Sequence, residues 1–176
     1  MAKRKTKQQF FFKEAPAVFG GKDLKSHPKD QRPVNVKHPM HVILHSRHAK
    51  LDWSFRKKEH LLQIEACVRK QLRDNGIKNY GLQIMSNHIH MNLRFPSRRA
   101  YQSFIRAVAG IIPRIVMGCE RGMPALTTKF WTARPLTKII GWGRQFKKLK
   151  EYFELNRLEA FGFSLPYARA ILESTA

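Results

Sequence analysis

From Met40 the chain begins to alternate. In MHVILHS, Met40, Val42 and Leu44 share one side of an extended backbone and His41, Ile43 and His45 the other, which predicts a strand. Residues 54–76 then run without proline and set Leu61, Ile64, Val68 and Leu72 at helical spacing. Ser54 suits the N-cap of that helix and Gly76 its stop. KNYGLQIM and HIHMNLRF return to strand patterning, divided by Ser86-Asn87, a pair fit for a tight turn. Pro96-Ser97 opens a second helix with Phe104, Ile105, Val108, Ile111, Ile112 and Ile115 as its apolar stripe, and Pro113 should kink or shorten it. A connection containing Gly and Pro follows, then a short strand in PLTKIIGW and a long helix from Arg144 to about Gly162.

Strand, helix, strand, strand, helix, strand, helix is the split βαββαβ order of an α+β, ferredoxin-like or RRM-like domain. In that topology the first and third strands are central neighbours and the crossover helices cover one sheet face. The other face is left for a ligand or an extra helix. Residues 1–39 show no sustained period, hold ten Lys/Arg against three acids, and carry Pro16, Pro28, Pro33, Pro39 and Gly20-Gly21. They read as a basic, extended or loosely ordered arm, either a strap on nucleic-acid backbone or a solubilising tail. The boundaries are therefore 1–39 for the arm, 40–163 for the domain and 164–176 for a C-terminal tail.

Charge narrows the partner. The 176 residues hold 34 Lys+Arg and 12 Asp+Glu, a net charge of +22, with 43% hydrophobic residues to build a core. A polyanion is the expected partner, nucleic acid before membrane, because the cations are scattered rather than gathered on one amphipathic helix. No apolar run has the length of a membrane span, and Phe10–Phe12 is too short for a signal peptide. Cys67 and Cys119 make neither a disulfide framework nor a zinc cluster, so a reducing cytoplasm is expected. Gly20-Gly21-Lys22 lacks the spacing of a phosphate loop.

Candidate chemistry lies on the third strand. Alternation places Ile89, Met91, Leu93 and Phe95 toward the core and His88, His90, Asn92 and Arg94 toward the free face. Two neutral imidazoles about 7 Å apart along one face can share a divalent ion, or can simply be polar residues on a wet sheet. On the final helix, Tyr152 and Asn156 are four apart and share a face, at the edge of a core stripe of Phe146, Leu149, Phe153 and Ala160. If that helix packs near the free face, Asn156 can offer a carbonyl oxygen to the same ion, with Tyr152 beside it.

These segments together resemble the single-tyrosine HUH transposases of bacterial insertion sequences, especially the REP-associated tyrosine transposase branch. HPMHVILHS, IMSNHIHMNLRF, FWTARPLTKII and LKEYFELNRLEAFGF carry the likeness, in order, with 64 positions from His88 to Tyr152. The resemblance implies that His88, His90 and Asn156 bind Mg²⁺ or Mn²⁺ and that Tyr152 is the nucleophile. It implies nicking and rejoining of single-stranded or hairpin DNA through a 5′-phosphotyrosine, by a bacterial, cytoplasmic, nucleoid-associated monomer or homodimer. The connector departs from the family's Arg-aromatic-aromatic stretch, reading Arg134-Pro135-Leu136. Arg94, Lys148, Lys150, Arg157 and His45 are candidates for contacting DNA, and the three helix cations are placed to favour a phenolate, or to form a solvated face.

Alternatives remain among the residues. His41 or His45 can replace Asn156 as a ligand, contact the scissile phosphate, or only face water. His27, His38, His48 and His60 read as surface residues. Trp53, Trp131 and Trp142 can stack on bases or pack in the core or at its edge, and packing is the reading for Trp142. Tyr101 and Tyr167 lack an asparagine four residues on. Two other functions share this fold: a catalytically silent nucleic-acid binder, and a replication-initiator or relaxase nickase, whose relatives tend to be longer and often carry a third histidine.

Overall fold

The computed structural model describes residues 18–21, 32–119 and 129–174. Most of the N-terminal arm and part of the connection after the second helix lie outside these. The elements are β1 (Val18–Phe19), β2 (Met40–His45), a 3-10 turn (Leu51–Trp53), α1 (Lys58–Asp74), β3 (Lys78–Ile84), β4 (His88–Arg94), α2 (Arg98–Met117), β5 (Leu136–Ile139), α3 (Arg144–Ala160) and α4 (Leu165–Ser174). The strands form one antiparallel sheet in the order β1-β5-β2-β4-β3, so β2 and β4 are central neighbours, as the split βαββαβ order requires. The fold is α+β.

The apolar rows of the two central strands make the core. Met40, Val42 and Leu44 of β2 and Ile89, Met91 and Leu93 of β4 are all buried, against Ile64 and Val68 of α1 and Phe104, Val108 and Ile112 of α2. The opposite rows of the same strands carry the histidines, and α3 lies over part of that face. Close approach there depends on Gly81: a Cβ on it would stand 2.8 Å from Cδ1 of the Phe153 ring.

Several local expectations are corrected. Ser54 does not cap α1, which starts at Lys58; its hydroxyl instead accepts from the Arg56 backbone N–H within the preceding turn. Pro113 does not shorten α2, which continues to Met117. Proline has no N–H for the carbonyl of Ala109 four residues back, and the Trp131 Nε1–H takes that carbonyl instead at 2.8 Å. Ser97 caps α2 by accepting from the Ala100 N–H. The C-terminal segment read as a tail carries α4. Within the arm, β1 pairs with β5, and the Arg32 guanidinium donates to Phe19 O, Pro135 O and Thr137 Oγ1 while lying 4.7 Å over the Phe19 ring. Both cysteines are free, and among the described residues no helix is long and apolar enough to cross a membrane.

Candidate active site

The free face of the sheet holds a row of aromatic nitrogen rings. Register sets His41 opposite Asn92, Ile43 opposite His90 and His45 opposite His88. Within this row His90 is buried, and its Nδ1 lies 3.0 Å from His41 Nε2. On its other side, His90 Nε2 lies 3.5 Å from the Tyr152 hydroxyl. His88 stands edge-on to His90 with ring centroids 4.6 Å apart, and its Nδ1 is 2.7 Å from Asn87 Oδ1. A carboxamide oxygen only accepts, so His88 carries its proton on Nδ1 and keeps the Nε2 lone pair.

α3 brings the phenol here from the far end of the chain, and three attachments hold it down. At its start, Trp142 and Phe146 pack with Tyr80 of β3, and Trp142 Nε1–H donates to Lys37 O at 3.1 Å. At its middle, Phe153 seats on Gly81 with its ring against those of His41 and His90. At its end, the Arg56 guanidinium donates to Ala160 O at 2.7 Å. Tyr152 is thereby 41% exposed, with its hydroxyl at the histidines. Asn156, one turn on, is buried rather than at the edge of the core stripe, and its amide nitrogen has no hydrogen-bond partner.

Electrostatics keep the rings neutral. Burial, with the Lys138 ammonium nearby, pulls His41 down to about 4. Burial, then His41 and His88, holds His90 down to about 3. His88 is lowered too, by burial and by His45. Neutral imidazoles offer lone pairs rather than charge. Among the described residues no three His, Cys, Asp or Glu side chains cluster as a metal site. The donor set on offer is thus the two imidazoles, joined by Asn156 if its carboxamide oxygen turns toward them, and such a set fits an ion whose remaining positions are left to water or phosphate.

Nine chains of solved structures are similar to the chain, among them the following two. A REP-associated tyrosine transposase bound to a REP hairpin matches with a TM-score of 0.50 at 11% identity, over 76% of this chain and 74% of that one. The chain has that transposase's fold. A crystal structure from Deinococcus radiodurans R1, provisionally named a transposase, matches with a TM-score of 0.42 at 16% identity, over 73% of this chain and 98% of that one. No family model and no curated protein sequence matches the chain.

The other candidate residues are placed unevenly. Lys148, exposed one turn before Tyr152, shares its helix face, whereas Lys150 is turned away from it. Arg157 is ion-paired with Glu154 at 2.8 Å. Arg94 ends β4, four residues beyond His90, opposite Lys78. His45 is tied through Nδ1 to Thr132 Oγ1 at 2.9 Å, its ring 6.2 Å from His88. Trp142 is 46% exposed and packs on Tyr80 and Phe146 at the edge of the core, and His60 Nδ1 donates to Ser54 O at 2.9 Å. Tyr101 is buried among Phe95 and the α2 core, and Tyr167 packs on Phe163 in α4.

Two residues gain a place that the sequence did not give them. His41 is the hydrogen-bond partner of His90. Lys138 faces His41 across the β2–β5 register and is exposed beside the site. Alternation in PLTKII shows that Lys138 has a face, but only the register of β5 against β2 shows that the face is this one.

Proposed function

We propose that the chain nicks and rejoins single-stranded DNA through a phosphotyrosine on Tyr152, as a transposase or domesticated relative acting on hairpin-bearing DNA. The observation that carries this reading is the Tyr152 hydroxyl 3.5 Å from His90 Nε2, with His88 alongside, all in one chain. The shared fold of a transposase that binds a REP hairpin supports DNA as the partner, as does the net charge of +22.

In this reading His88, His90 and Asn156 hold a divalent ion, Mg²⁺ or Mn²⁺. Lewis-acid polarisation of a phosphate oxygen is what such an ion supplies when bound. The chain's own groups do the rest. Tyr152 Oη attacks phosphorus in line; the Oη–P bond forms as the bond from phosphorus to the 3′-oxygen breaks. The phenolic proton leaves Oη to solvent water, and the departing 3′-oxygen takes one up. The products are a 5′-phosphotyrosine and a free 3′-hydroxyl. Because the phosphodiester energy is kept, another 3′-hydroxyl can reverse the step and join new ends. Lys138 and Lys148 stand where the approaching phosphate backbone is neutralised.

The test is incubation with hairpin-bearing single-stranded DNA and a divalent ion, followed by a denaturing gel. A covalent adduct is expected, absent from Tyr152→Phe. Mn²⁺ should support more adduct than Mg²⁺, since imidazole nitrogen is a poor donor for the harder ion. An adduct that survives Tyr152→Phe refutes the nucleophile, and no adduct on any strand favours a silent binder on this fold.

A further inference from the structure

The nicking chemistry leaves unused a groove of about 340 Å³ along the outer edge of β3. Leu61, Leu82 and Ile84 line it with apolar surface. One wall is α1, which presents Arg69 beside the Glu65 carboxylate; the other is the end of α3, which presents Arg157 and then Phe161, and Arg56 completes the lining, three guanidinium groups against one acid. Gln83 is part of the lining and sits opposite His90 in the β3–β4 register, so the groove comes within about 5 Å, one strand spacing, of the histidine row.

The chemistry of the lining is specific. Each guanidinium is oriented by a partner: Arg56 by Ala160 O at 2.7 Å, Arg69 by Glu65 Oε1 through Nε and Nη2, and Arg157 by Glu154 at 2.8 Å. A guanidinium has five N–H donors, so all three keep donors for a further acceptor. Phe161 is 73% exposed, the most exposed aromatic ring among the described residues. Fixed cations, an apolar floor and an uncovered ring are what an unpaired nucleotide needs, with phosphate oxygens on the guanidinium groups and a base on the ring. A second copy of the chain is a poor occupant, because a molecule of net charge +22 would bring cations to cations.

We infer that this groove is a subsite for an unpaired nucleotide of the DNA strand that passes the Tyr152 site, its base stacked on Phe161 and its phosphate held by Arg69 and Arg157. The inference rests on reading the chain as a single-strand DNA enzyme, and its test is independent of bond breaking. Fluorescein-labelled (dT)12 is titrated with the full chain in EDTA and followed by anisotropy over a range of salt. Phe161→Ala should weaken binding about 5- to 150-fold, the size of one base–aromatic stack, and Phe161→Trp should retain it. Arg69→Gln should flatten the slope of log K against log[salt] by about 0.7. Parental affinity in Phe161→Ala overturns the subsite, as does failure of the parent chain to bind (dT)12. A sedimenting dimer that Phe161→Ala dissolves, with (dT)12 affinity unchanged, makes the groove a protein interface instead. A missing Tyr152 adduct alongside the expected anisotropy changes would sink the nicking chemistry and leave the groove standing.

Discussion

At the scale of single residues, His90 is governed by its two neighbours. For Nε2 to present a lone pair toward Tyr152, Nδ1–H must donate to His41 Nε2, so His41 fixes the tautomer of a ring it touches at 3.0 Å. Partners of this kind commonly contribute 10- to 100-fold in metal affinity or activity. In His41→Phe the ring packing on Phe153 survives but the acceptor is lost. The Mn²⁺ concentration for half-maximal adduct should therefore rise about 10- to 100-fold, while metal-free (dT)12 binding holds. The same rings set the acid limit of the metal-free protein. His41 and His90 titrate near 4 and 3 when folded, but near 6.5 when unfolded. The unfolded chain thus binds more protons below pH 6.5, so stability is full above about pH 7 and falls as pH drops. The loss reaches at most about 1.4 kcal/mol per pH unit for each ring, ending for His41 near pH 4 and continuing for His90 toward pH 3. Urea melts at pH 7, 6 and 5 should show the midpoint dropping, with a shallower drop in His41→Phe.

At the scale of elements, the decisive contact is α3 on β3. Phe153 cannot swing away from a side chain at position 81, because its ring is wedged against His41 and His90. Gly81→Val should therefore lift the helix, costing about 1–3 kcal/mol in urea unfolding and removing most adduct formation, since Tyr152 leaves with its neighbour. Wild-type stability and adduct yield in Gly81→Val would show that the helix is not held there. The sequence made the strands legible because period two is local: HIHMNLRF alone separates Ile89, Met91 and Leu93 from His88, His90 and Asn92. It also set Tyr152 and Asn156 on one helix face. It could not show that this face meets the histidines, because that depends on a missing Cβ at Gly81, an aromatic clamp at Tyr80 and a guanidinium at Arg56, all distant in sequence. That Pro113 leaves α2 unshortened was hidden for the same reason: the donor that replaces its absent N–H is Trp131, eighteen residues on.

At the scale of the whole molecule, charge acts in two opposed directions. A net +22 repels itself when the chain is compact and attracts a phosphate backbone when one is near. Salt screens both, so it should raise thermal stability while lowering DNA affinity. The arm separates these effects only if it is cut at the right place. Removing residues 1–39 would take away β1, the Arg32 clamp on Pro135 and Thr137, and the Lys37 carbonyl that holds Trp142, so any loss of binding would be confused with loss of fold. Removing residues 1–17 spares all of these and deletes five Lys/Arg and one Glu. If those cations grip phosphates, the slope of log K against log[salt] for (dT)12 should flatten by up to about 3.5, near 0.7 for each phosphate no longer neutralised. The melting temperature of the shortened chain at high salt should match that of the parent, because screened charge no longer distinguishes them. An unchanged slope with an unchanged melting temperature would make residues 1–17 a solubilising tail and leave DNA affinity to the sheet face and the β3 groove.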